Sequence, residues 1–105
     1  MSYDVSLIIS TGTEFVEVFS ANHTSNTSDM WRAAGCDIAA FDGKPAPKLA
    51  AACEKAIRLI ESDRKAFEQF QPSNRWGTID STLGFLHDLM CAGRLHEKTV
   101  VSVCR

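Results

Sequence analysis

Strand-type alternation stands at both ends of this chain with helical periodicity between, and that arrangement restricts the fold more than any other feature. In Tyr3–Ser10, Val5, Leu7 and Ile9 fall on one face and Asp4, Ser6 and Ser10 on the other, the period of a half-buried strand. Thr11-Gly12-Thr13 supplies a turn whose central glycine can take a positive φ. Glu14–Ser20, rich in aromatic and β-branched side chains, completes a hairpin, and Thr99–Cys104 alternates again at the other end. An isolated hairpin is marginal, so the last strand should join it. The expected fold is α+β, a three-stranded antiparallel sheet (N-terminal hairpin plus C-terminal strand) packed with about three helices in the order β-β-α-α-α-β.

The middle of the chain reads as those helices. Leu49, Cys53, Ile57 and Ile60, joined by Ala52 and Ala56, recur at helical spacing, while Glu54/Arg58 and Glu61/Lys65 pair on the opposite side. Pro45 and Pro47 hold the chain extended until Pro47 starts this helix. A second run from Ser62 presents Ala66, Phe67 and Phe70, and Pro72 ends it. Thr78 caps a third helix carrying Ile79, Leu83, Leu86 and Met90, which stops at Gly93. A shorter helix, capped by Ser28 and closed by Gly35, holds Met30, Trp31 and Arg32.

Composition adds limits on partners. A chain of 105 residues, 45% hydrophobic and 23% charged, suits a single domain over residues 1–105. A formal charge of −2 without a basic stripe does not point to nucleic acid. The N-terminus lacks a basic segment followed by an apolar one, and the longest purely apolar run is only Leu49 to Cys53, so no membrane partner and a cytoplasmic location are expected. Cys36, Cys53, Cys91 and Cys104 are far apart in sequence and are expected to stay reduced there.

Two polar, tryptophan-bearing segments are left over once the apolar residues have been placed. Asn22, His23, Thr24, Ser25 and Asn26 belong to a loop from Ala21 to Ser28 that leads to Trp31 and Arg32. Short polar side chains there favour turns and caps, and can also cradle an anion, against which the acidic Asp29 would compete. Pro72–Gly77 holds Asn74, Arg75 and Trp76, a set able to read a ring edge, pair with phosphate and stack. The bland alternatives are a capped helix and a helix-to-helix turn. His87 and Cys91 share a helix face, but no further pair has metal-ligand spacing, so no metal is expected. Nucleophile elbow, P-loop and dinucleotide fingerprint are all lacking, which argues against an enzyme and against a bound cofactor.

Asn22-His23-Thr24-Ser25-Asn26 with Met30-Trp31, and Pro72-Ser73-Asn74-Arg75-Trp76-Gly77, resemble segments of small uncharacterised proteins of bacteriophages and bacteria. The resemblance implies a context, since such phage proteins often bind a host protein or sequester a nucleotide signal of host defence. It brings no named activity or residue roles with it. The leading expectation is a non-enzymatic module that binds a small phosphorylated or nucleotide-like ligand between the two segments. Asn22, His23, Thr24, Ser25, Asn26, Trp31, Arg32, Asn74, Arg75 and Trp76 would form the site. The alternatives are a protein-interaction module, docking a host protein or a second copy in a homo-oligomer through a sheet edge or the tryptophan-bearing loops, and a small enzyme without a linear motif.

Overall fold

A computed structural model describes residues 2–105. Strands β1 (Ser2–Ser10), β2 (Phe15–Thr24) and β3 (Val100–Cys104) form one antiparallel sheet in the order β2-β1-β3. The C-terminal strand thus lies beside the first one, a strand order that the alternation at the two ends leaves open. Tyr3, Val5 and Leu7 point to the helices and are at most 2% exposed, opposite His23, Ala21 and Phe19 on β2. The other face, with Asp4, Ser6 and Ser10, stays open.

The register shifts between Leu7 and Ile8, because Leu7 pairs with Phe19 whereas Ile8 pairs with Glu17. Val18 is the extra residue of a β-bulge. The bulge changes the phase of β2, so Phe15 and Glu17 lie on the open face while Phe19 lies on the covered one. A strict alternation would have placed all three together.

Helices α1 (Ser28–Ala33), α2 (Ala46–Ser62), α3 (Arg64–Phe67) and α4 (Ile79–Leu95) cover the sheet on one side. With the short α1 set aside, the order is the expected β-β-α-α-α-β. Helices α2 and α4 run antiparallel, joined by Arg94–Glu54 at 2.6 Å, while Arg64 at the start of α3 pairs with Asp80 in the first turn of α4 at 2.8 Å. Met30, Trp31, Ile38, Leu49, Ile60 and Leu86 are fully buried between these elements and the sheet.

Four local expectations change. Ser28 is the first residue of α1 and not its cap; Thr27 precedes the helix and makes no side-chain capping bond. Helix α4 continues past Gly93 to Leu95. The glycine is there for packing, because a β-carbon on it would stand 2.9 Å from Ala46 O and 2.9 Å from Ala50 Cβ. Glu54 and Arg58 do pair at 2.7 Å, but Glu61 and Lys65 fall on different helices, since Asp63 breaks the run and caps α3 through its side chain. Ala46, not Pro47, is the first residue of α2.

Candidate site around the Ser25–Ser28 turn

The segment expected to be a loop from Ala21 is strand as far as Thr24, because Asn22, His23 and Thr24 still pair with Asp4, Tyr3 and Ser2. Continued alternation then sends neighbouring side chains to opposite faces. Asn22 faces the open side, where its amide donates to Asp4 Oδ1 at 2.6 Å and to Ser2 Oγ at 3.1 Å. His23 faces the core, stacked on Phe85 with ring centroids 5.0 Å apart, and its Nε2 lies 3.4 Å from Thr82 Oγ1. Burial disfavours the charged imidazolium and lowers its pKa below 6.5.

Thr24 turns the chain by accepting a hydrogen bond from Asn26 N at 3.2 Å, and Ser25–Thr27 forms a single 3₁₀ turn before α1. Asn26 is exposed and Thr27 fully buried. Trp31 is 0% exposed and packed edge-on against Tyr3, so neither of its faces is open to a ligand. The stacking expected of Trp31 is therefore made with the core. Arg32 leaves the same helix toward solvent and donates to Tyr3 Oη at 2.8 Å. Its pairs with Asp29 at 3.4 Å and Asp37 at 3.7 Å are long and exposed.

In the second segment Arg75 N donates to Pro72 O, Trp76 N donates to Asn74 Oδ1, and Arg75 takes φ +62°. These are turn interactions, and they leave the Trp76 ring 68% exposed. The two segments do meet. Gly77 presses on the first one so closely that a β-carbon would stand 2.6 Å from Thr27 Cγ2 and 2.7 Å from Thr24 Cγ2. The contact is between glycine backbone and two methyl groups.

The other side of the same turn borders a cleft of about 670 Å³. Ser25, Ser28 and Arg32 form one wall, Val103, Cys104 and Arg105 the other, and Ser2 and Tyr3 of the middle strand lie between. Thus Thr24 and Thr27 face Gly77 while Ser25 and Ser28 face the cleft. Of the residues expected at a site, Ser25 and Arg32 line this cleft, and Asn74, Arg75 and Trp76 do not. Sequence reasoning missed the wall at Arg105, which only the pairing of Asp4 with Cys104 brings into place.

Among the described residues two buried side-chain polar atoms have no hydrogen-bond partner, Thr27 Oγ1 and Trp31 Nε1. His87 and Cys91 lie on one face as expected, with the sulfur 3.8 Å from the ring nitrogens. Among the described residues no group of three or more metal-binding side chains occurs, and no helix is long and apolar enough to cross a membrane. All four cysteines are free, with Cys36 and Cys53 buried and Cys91 and Cys104 exposed. A hydrogen bond to Cys36 and burial both push the Cys53 thiol pKa up. Comparison of the chain with family models, curated proteins and solved structures found no match.

Proposed function

We propose that this protein is a non-enzymatic module that binds a small phosphorylated or nucleotide-like ligand in the cleft between the Ser25–Ser28 turn and the end of β3. The observation that carries this reading is the cleft itself, about 670 Å³ in volume, with two arginines and three serines among its lining residues. That volume lies within the range of small-ligand sites. A guanidinium held in place by one neutral hydrogen bond, here from Arg32 to Tyr3, keeps further donors in a fixed fork for an anion. The long, exposed pairs with Asp29 and Asp37 are weak competitors, because such contacts contribute only about 0 to 1 kcal/mol. A net charge of −2 is no obstacle, since the cleft needs local donors and not a basic surface. In this reading the 72–77 segment supports the turn from behind through Gly77.

Calorimetric titration and thermal melting against inorganic phosphate and a panel of mono-, di- and cyclic nucleotides test the proposal. Binding should weaken by about tenfold or more in Arg32→Ala and Arg105→Ala and stay unchanged in Arg75→Ala, because a charge-assisted hydrogen bond contributes roughly 1.5 to 3 kcal/mol. Absence of any heat or melting shift at millimolar ligand would rule the proposal out.

A further inference from the structure

The cleft beside the Ser25–Ser28 turn lies where β1 begins and where β2 and β3 end, so its lining comes from residues at or just past the ends of all three strands. Arg32 stands on one wall and Arg105 on the other, and four side-chain hydroxyls, those of Ser2, Tyr3, Ser25 and Ser28, belong to the residues that line the space with them. Two of these hydroxyls are held in place by donors. Ser2 Oγ accepts from the Asn22 amide at 3.1 Å, and Tyr3 Oη accepts from Arg32 at 2.8 Å. A hydroxyl that accepts one hydrogen bond keeps its own hydrogen to donate and a second lone pair to accept with.

Among the described lining residues no aromatic face is open. A nucleobase gains much of its binding from stacking on such a face. Tyr3 is the aromatic residue of the lining; it is 2% exposed and stands edge-on to Trp31, so it offers the cleft a hydroxyl bonded to Arg32 and not a ring. Trp31 is fully buried, and the exposed Trp76 belongs to the 72–77 segment and does not line the cleft. Val103 supplies aliphatic surface there and is half-buried. The lining therefore matches a ligand whose own surface is anion and hydroxyl, with charge for the arginines and paired donors and acceptors for the serines and tyrosine.

We propose that the ligand of this cleft is a phosphorylated sugar or polyol, recognised through its phosphate and its hydroxyls and not through a base. The inference rests on the reading of the cleft as a phosphate-binding site and chooses between the two kinds of ligand that reading admits. A guanidinium pairs with phosphate oxygens as a fork, and protein hydroxyls exchange donor and acceptor roles with those of a polyol. The volume of about 670 Å³ exceeds what phosphate alone would fill and leaves room for a sugar beside it. The compound is free in solution and not a lipid headgroup. The chain carries a net charge of −2, and Asp29 and Asp37 lie beside Arg32, so an anionic membrane surface would repel this rim.

Calorimetric titration of the full chain with inorganic phosphate, ribose 5-phosphate, adenosine monophosphate and adenosine decides the matter. Ribose 5-phosphate should bind about tenfold more tightly than phosphate, adenosine monophosphate within about threefold of ribose 5-phosphate, and adenosine should give no heat at millimolar concentration. Ser2→Ala/Ser28→Ala should reduce the preference for ribose 5-phosphate over phosphate to about threefold or less. If that variant does not fold, the comparison of ligands on the wild type serves alone. Phosphatidylcholine vesicles carrying phosphatidylglycerol should not cosediment the protein, and binding to them would overturn the inference. Adenosine monophosphate binding about tenfold or more tightly than ribose 5-phosphate, ribose 5-phosphate no tighter than phosphate, or a preference unchanged in the folded double variant would also overturn it while leaving a phosphate site standing. Absence of heat from every phosphorylated compound would overturn it together with the reading it rests on.

Discussion

Gly77 and Thr27 are in contact at a distance that admits no side chain on the glycine: its β-carbon would come within 2.6 Å of Thr27 Cγ2. The glycine also sits at φ +105°, a conformation that L side chains rarely adopt. Two independent costs therefore fall on one position, and both act on the joint that holds the Ser25–Ser28 turn.

Gly77→Ala should destabilise the fold by about 2 to 4 kcal/mol, from the positive φ together with the forced movement of Thr24 and Thr27. Gly12→Ala is the matched control. Gly12 lies at φ +92° with open space around it, so its substitution should cost only about 1 kcal/mol, the conformational part. Urea unfolding of the two variants separates steric from conformational cost. Equal losses would mean that the Gly77 contact relaxes freely.

A second glycine pair tests the packing of α2 on α4. Gly84→Ala, with nothing within 4 Å of its new methyl, should stabilise α4 by about 0.5 to 1 kcal/mol through helix propensity. Gly93→Ala gains the same propensity, but its methyl meets Ala46 O and Ala50 Cβ at 2.9 Å. Neither a backbone carbonyl nor an alanine methyl can rotate away, so a net loss of about 1 to 3 kcal/mol is expected. Opposite signs in thermal melting are the result to look for.

What the sequence discloses about this fold is what is local. The alternation of Tyr3–Ser10, the cap at Thr78 and the end of the helical run before Pro72 depend on neighbours a few residues away, and the structure keeps them. Thr78 even exchanges bonds with Ser81, its side chain accepting from Ser81 N at 3.0 Å while its own N–H donates to Ser81 Oγ at 2.8 Å. The continuation of β2 through Asn22–Thr24 was hidden, because short polar residues read as a turn until pairing with Ser2, Tyr3 and Asp4 holds them extended. The bulge at Val18 and the packing role of Gly93 depend on partners far along the chain. The cleft was half legible for the same reason. Ser25 and Arg32 stand out as polar residues beside a short helix, whereas Arg105 reaches them only through the β1–β3 register. Trp31 shows the reverse error: its chemistry suits stacking on a ligand, but its place on α1 faces it into the core.

Thr27 offers a test of the polar atoms inside that core. Its hydroxyl is fully buried and has no hydrogen-bond partner. A buried polar group left unsatisfied costs about 1 to 3 kcal/mol, so Thr27→Val, which keeps the branched shape and removes the hydroxyl, should leave stability unchanged or raise it by about 1 kcal/mol. A loss of more than that in urea unfolding would show that the hydroxyl is satisfied in solution by a buried water.

His23 makes stability depend on pH, and the sign follows from its surroundings. Burial against Phe85 and Trp31 lowers its folded-state pKa below 6.5. Above about pH 7 both folded and unfolded chains hold a neutral imidazole, and the group contributes no pH dependence. As pH falls through 6.5 the unfolded chain takes up a proton that the folded one resists, so stability declines until the folded-state pKa is reached and then levels off. His23→Gln removes this titration. The difference in unfolding free energy between wild type and His23→Gln should therefore shrink on acidification from pH 7.5 to 5, each unit of pKa separation corresponding to about 1.4 kcal/mol. A constant difference over that range would show that the ring is hydrated in solution and free to leave its stack on Phe85.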